Sequence, residues 1–368
     1  MKRILLLLLL FHQMCYANDN LEISILTCAP GDEVYSIFGH SAIRILDKEN
    51  QIDKIYDFGT FDFDTPNFAY KFLKGKLKYH LSVRNTNQFI RAYTYENRAI
   101  LEQQLHLSEL EKGQIVDKLD FLYQPENRYY FYSFLEKDCS TDLRDLLTLV
   151  GVKFSGELLQ QSKRDLINSY LTEKPWIKLG VNIILGQGLD EMSSRFQSMF
   201  LPKYLKKEIE LATLRNASLV KSEQKLNEIK TNQSTNKAIK FFSPIVIFLI
   251  LLLLYVIGFQ KAISLLLFLG IGINGLIITF LWGFSGHEEV TNNLNILWCN
   301  PFYLLAIPML LKNKSNRILA IVLTISLVLA LISWTLGIQC LDRSIIPVLI
   351  ILGLINYNEI KKLTTLST

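Results

Sequence analysis

The sequence predicts an α+β extracytoplasmic domain followed by an all-α polytopic membrane domain of about five helices. Three observations carry this: a basic then apolar leader, period-two hydrophobic alternation up to about residue 98, and apolar runs concentrated after residue 240. The leader is Met1-Lys2-Arg3 followed by Ile4 to Phe11, ordered like a secretory signal and too short to span a bilayer comfortably. Cleavage is expected after Ala17. Lipidation at Cys15 is disfavoured, because His12-Gln13-Met14 lacks the small residues such a site needs. The resulting division is 1–17 signal, 18–220 extracytoplasmic domain, 221–240 polar linker, 241–358 membrane domain and 359–368 cytoplasmic tail.

Within the first domain, Leu21 to Ile25, Ala42 to Leu46, Ile52 to Phe58 and Leu77 to Val83 alternate as short strands, separated by turn formers such as Pro30-Gly31. A helix is expected over Pro66 to Leu73, and another begins at Ser108, which with Glu111 makes a capping-box pair. Further on, Lys137-Asp138-Cys139-Ser140-Thr141 places small polar cap formers ahead of Leu143, Leu146 and Leu147, so Cys139 sits at a helix start. The stretch from Lys221 to Lys237 is polar and reads as a linker or a solvated helix.

The apolar runs at 241–258, 262–282, 294–311, 318–338 and 345–355 are five candidate spans. With the first domain outside, Lys312, Lys314 and Arg317 share one inside loop and Lys361 and Lys362 lie in the inside tail, as the positive-inside rule prefers. Lys237 and Lys240 fall on the other side, so orientation rests more on the leader. A net charge of +5, spread along the chain with no basic stripe between stacking aromatics, argues against nucleic acid. The five histidines are dispersed without ligand spacing; no metal and no cofactor are expected.

Two residues can do chemistry together. His40 begins a strand after Gly39, and Cys139 sits where the positive end of a helix dipole favours a thiolate, more so beside an imidazolium. A helix-start cysteine with a strand histidine is the core of papain-like sites, here in permuted order. Asp57, in Tyr56-Asp57-Phe58-Gly59, either orients the imidazole across an antiparallel pair or is a strand-end carboxylate; His80 is a weaker alternative. Asp138 would oppose a thiolate if it pointed inward, so it is expected outward or capping the helix. Cys28, at a strand end, reads as structural or as half of a disulfide with Cys139, which would silence the thiol. Tyr35 and Ser41 near His40, and His287, Asn292 and Asn295 in an outside loop, are candidates for substrate contact, the loop residues equally for interfacial anchoring.

The runs Leu26 to Arg44, Tyr56 to Gly59, Lys137 to Thr141, Met199 to Leu205 and His287 to Pro301 resemble the Bacteroidota-type lipoprotein N-acyltransferases, the Lnb family. The resemblance implies a permuted papain-like (NlpC-type) periplasmic domain on an inner-membrane anchor. It implies acyl transfer to the N-terminal α-amine of a diacylglyceryl-cysteine lipoprotein, with His40 as base, Cys139 as nucleophile and membrane phospholipid as one possible donor. The family turn more often reads Asn-Cys where this chain has Asp138-Cys139. Two rivals stand beside it: a membrane-anchored papain-like cell-wall amidase or peptidase, and a non-catalytic scaffold with Cys28 and Cys139 oxidised.

Overall fold

A computed structural model describes residues 20–230 and 242–365. The expected signal and the second half of the expected linker lie outside these residues. The first domain is built on a seven-stranded antiparallel sheet formed by β1 (Leu21–Cys28), β2 (His40–Asp47), β3 (Ile52–Thr60), β4 (Lys78–Asn85), β5 (Ile100–Leu105), β6 (Tyr129–Phe131) and β7 (Val220–Lys225), in the order β7-β5-β1-β2-β3-β4-β6. Between them lie α1 (Phe68–Leu73), α2 (Thr86–Tyr95), α3 (Glu109–Tyr123), α4 (Cys139–Leu149), α5 (Pro175–Ile184) and α6 (Pro202–Leu211).

The central strands are covered on both faces, which is why β1 reads as nearly continuous burial. Ile23, Ile25, Ile43 and Ile45 pack with Ile115, Leu119, Leu143, Leu147, Leu205 and Ile209 from α3, α4 and α6. The opposite face sets Leu26, Cys28, Ala42 and Ile55 against Phe89 of α2. Full burial of Leu143 or Leu147 contributes roughly 1.5–3 kcal/mol each, and this fixes the start of α4 over the sheet. Helix α2, unassigned from the sequence, is amphipathic, with Phe89 on its buried face; Asn85 starts it by accepting the Asn87 amide.

Three boundaries differ from those expected of the sequence. The polar stretch after residue 220 begins as the edge strand β7, held by backbone pairing with β5 and by Ser222 to Gln104 and Gln224 to Glu102, contacts that need no apolar alternation. The membrane block comprises α7 (Pro244–Val256), α8 (Gln260–Phe284), α9 (Tyr303–Leu311), α10 (Arg317–Thr335) and α11 (Ile346–Thr365). Helices α8, α10 and α11 are long and apolar enough to cross a membrane; α7 is a shorter apolar helix. The run at 294–311 is helical only from Tyr303, because Leu294–Leu297 forms a 3-10 turn ahead of Pro301. Helix α11 also continues past residue 358, into what was expected to be tail.

The two parts are fastened through the C-terminal end of α5, whose last carbonyls have no partner within the helix. Asn293 donates to the carbonyls of Ile183 and Ile184 at 2.8 and 2.7 Å, and Asn295 to those of Asn182 and Ile183 at 3.0 and 3.1 Å. Gln339 donates to Leu185, and Asn182 in turn to Asp342. Gly186 passes so close to the membrane block that a Cβ there would lie 1.7 Å from the Thr291 carbonyl oxygen.

Candidate active site

Strand β2 starts at His40, paired in register with Cys28 of β1. The residue before it, Gly39, has φ +82°, and a Cβ there would stand 2.7 Å from the Cys28 carbonyl oxygen, so only glycine delivers the chain here without strain. His40 Nε2 lies 2.6 Å from Asp57 Oδ1 on the neighbouring β3. The other Asp57 oxygen is 3.3 Å from the Arg84 guanidinium on β4. Asp57 is almost wholly buried (5% exposed) while His40 keeps one side open (19%).

With Nε2 engaged, the second ring nitrogen is left for Cys139, whose thiol is near enough to act electrostatically on the imidazole. Burial works against the imidazolium, but the charges of Cys139 and Asp57 and the hydrogen bond to Asp57 outweigh it, holding His40 well above its ordinary pKa of 6.5. Cys139 is the first residue of α4, and a Cβ added at Gly59 of β3 would stand 3.8 Å from the Cys139 Cβ. The structure thus brings together Cys139, His40 and Asp57, three side chains drawn from a helix start and two adjacent strands.

Asp138 caps α4 rather than pointing outward. One of its oxygens accepts from the Ser140 and Thr141 amides at 2.8 and 2.7 Å, and Thr141 closes a capping box. Burial dominates these donors and lifts its carboxyl to about 7, which weakens the negative charge beside the thiol near neutral pH. Cys28 and Cys139 are both free, so the disulfide that the scaffold reading required is not formed. Cys28 is buried under α2, and its thiol is pushed far up by that burial. His80 packs on Tyr129.

The substrate-contact candidates separate. Ser41 is fully buried and meets Ser140 Oγ at 3.1 Å, tying β2 to α4, which removes it from any surface. Asn295 is likewise buried, its amide spent on the α5 carbonyls and its oxygen on the Trp298 indole at 2.9 Å. His287 has both nitrogens engaged, Nε2 with the Phe72 carbonyl at 2.8 Å and Nδ1 with Glu289 at 3.4 Å, and the Glu289 hydrogen bond raises its pKa. It joins the membrane block to α1. Asn292 is exposed at φ +50°, and Tyr35 is 61% exposed with its ring edge-on to Phe61 and Phe63.

Arg84 and Tyr130 escaped the sequence reading. Arg84 was detectable in principle, since Asp57 pairs with Ser82 and Arg84 stands two residues further along β4. The Tyr130 hydroxyl accepts the Gly59 amide at 2.6 Å, a contact across 71 residues that no local pattern announces. Beside the site a cleft of about 340 Å³ is lined by Thr27, Cys28, Phe38, Tyr170 and Lys203 among others.

A sheet-rich domain carrying clustered Cys139, His40 and Asp57 and bound to a block of apolar helices defines a multi-pass membrane protein. Residues 11–171 match the family model described as the Lnb N-terminal periplasmic domain, and residues 235–364 match that of the Lnb transmembrane domain. The chain belongs to the Lnb family, as a multi-pass membrane protein with a periplasmic N-terminal domain. No curated protein and no solved structure matches it.

Proposed function

We propose that this chain is a lipoprotein N-acyltransferase of the inner membrane. The carrying observation is the Cys139 thiol at the start of α4, within electrostatic reach of an imidazole that Asp57 holds from behind. This is the plan of a permuted papain-like site. Family membership supports the acyl-transfer reading, and the five membrane-block helices support a five-span anchor in which α9 is a short third element.

In the first half-reaction Cys139 gives its proton to His40, and the sulfur attacks the carbonyl carbon of a lipid acyl ester, with membrane phospholipid as donor. The C–O bond breaks, a thioester forms, and the departing alcohol oxygen takes the proton from His40. In the second, the α-amine of a diacylglyceryl-cysteine lipoprotein attacks the thioester. A C–N bond forms, the C–S bond breaks and the amine proton passes to His40. Both pass through an oxyanion, for which the N–H of Cys139 itself is the suited donor, since Asp138 takes the next two amides.

The test is the purified full-length protein with phospholipid vesicles and a diacyl lipopeptide. A mass gain of one acyl chain on the peptide amine is expected, absent in Cys139→Ala and His40→Ala variants that still accumulate in the membrane. Triacyl product from either variant would overturn the mechanism, and mass loss from peptidoglycan fragments instead would reassign the site to a cell-wall amidase or peptidase.

A further inference from the structure

Helix α1 buries none of its residues, although it carries Phe68, Tyr70, Phe72 and Leu73. Tyr70 is 58% and Phe72 46% exposed. In water such a surface is disfavoured, and a contiguous apolar patch of this kind marks a contact site. Its position says with what. The Gly286 amide donates to the Lys74 carbonyl at 3.0 Å and His287 meets the Phe72 carbonyl, so α1 is pinned two or three residues beyond the end of the span α8. The Lys74 ammonium lies 5.7 Å from the ring of Phe284, the last residue of that span, whose side chain is itself outward-facing. The patch is therefore continuous with the lipid-facing surface. Lys71, Lys74, Lys76 and Lys78 surround it, and among the described residues none is paired with a carboxylate; Asp62 and Asp64 lie in the turn before α1.

We propose that α1 is an interfacial membrane segment: Phe68, Tyr70, Phe72 and Leu73 enter the periplasmic leaflet while the four lysines lie among the phosphates of anionic phospholipid. Aromatic and basic residues are the types favoured at that depth. The consequence for the site rests on the acyl-transfer reading. Phe72 meets Phe68 (6.3 Å), Phe68 meets Phe61 (5.8 Å), Phe61 meets Tyr79 (5.2 Å) and Tyr79 stacks on Tyr132 (4.7 Å), a half-buried ring within electrostatic reach of Cys139. This row of rings is then the wall along which an acyl chain leaves the bilayer for the thiol.

The experiment reads depth, without turnover, so it stands or falls independently of the acyl-transfer reading. In the full chain carrying Cys139→Ser and Cys340→Ser, a nitroxide is attached at Tyr70→Cys or Leu73→Cys, with Glu49→Cys as the exposed reference. Electron paramagnetic resonance in nanodiscs containing phosphatidylglycerol should show the first two labels open to oxygen and shielded from a water-soluble nickel chelate, unlike the reference. Depth should decrease in purely zwitterionic nanodiscs, and equal depth would overturn the anionic assignment. Labels as open to the chelate as position 49 would overturn the proposal, as would shielding that arises only when a lipoprotein substrate is added, which would give the face to a protein partner.

Discussion

Replacing Asp57 by Asn keeps the shape of the side chain and removes its charge, which isolates the electrostatic part of the cluster. Asp57 is buried, holds His40 at 2.6 Å and is shared with Arg84. A hydrogen bond to a charged group is worth about 1.5–3 kcal/mol, and each ~1.4 kcal/mol is tenfold in rate. The variant is therefore expected to lose about 10- to 150-fold in kcat/KM. The pH profile distinguishes this from simple disorder of the site. His40 is held well above 6.5 by its interactions with Cys139 and Asp57 acting against burial, so losing the Asp57 charge moves its pKa down and shifts the alkaline limb of the profile to lower pH. The assay is acyl transfer to a diacyl lipopeptide over a pH series, with protein amount in the membrane measured alongside. An unchanged rate with an unmoved alkaline limb would refute the role given to Asp57.

Other expectations follow from single contacts. Gly39→Ala meets the Cys28 carbonyl in a left-handed backbone and should cost roughly 1–3 kcal/mol, seen as a fall of about 2–4 °C in melting temperature per kcal/mol. Asn295→Ala leaves the Trp298 indole without its partner, at about 1–3 kcal/mol for the orphaned group, and takes one of two donors from the Asn182 carbonyl, so amide exchange should quicken around residues 287–298. Asp138→Asn keeps a good helix cap. Because the folded Asp138 pKa of about 7 lies above its ordinary 3.8, ionisation penalises the fold; the penalty is absent below 3.8 and complete above about 7. The stability gained by the Asn variant should grow as pH rises through that window, and a gain that shrinks there would contradict it.

What could be read from the sequence was whatever depends on neighbours in the chain. Strand alternation in Leu21 to Ile25, the Ser108–Glu111 capping box and the placing of Cys139 at a helix start all arise from residues within one or two turns. His40 and Asp57 stood out as chemistry-bearing types on consecutive strands, and the β2–β3 pairing sets them side by side. Partners chosen by tertiary packing were not legible. Asn295 and His287 look like ligand contacts in a polar membrane-edge loop, yet their hydrogen bonds reach residues 113 and 215 positions away. The edge strand β7 was hidden because backbone pairing and polar side-chain contacts hold it without apolar alternation, and α9 was overestimated because hydropathy does not register the 3-10 turn and Pro301 ahead of it.

The account depends on Cys139 accepting an acyl group from lipid. Intact mass spectrometry of the full-length protein, incubated with phospholipid and no lipoprotein, should find one acyl chain added through a hydroxylamine-sensitive bond at Cys139, and none after Cys139→Ala. Unmodified protein under conditions that support turnover, or an adduct that survives in the alanine variant, would contradict it.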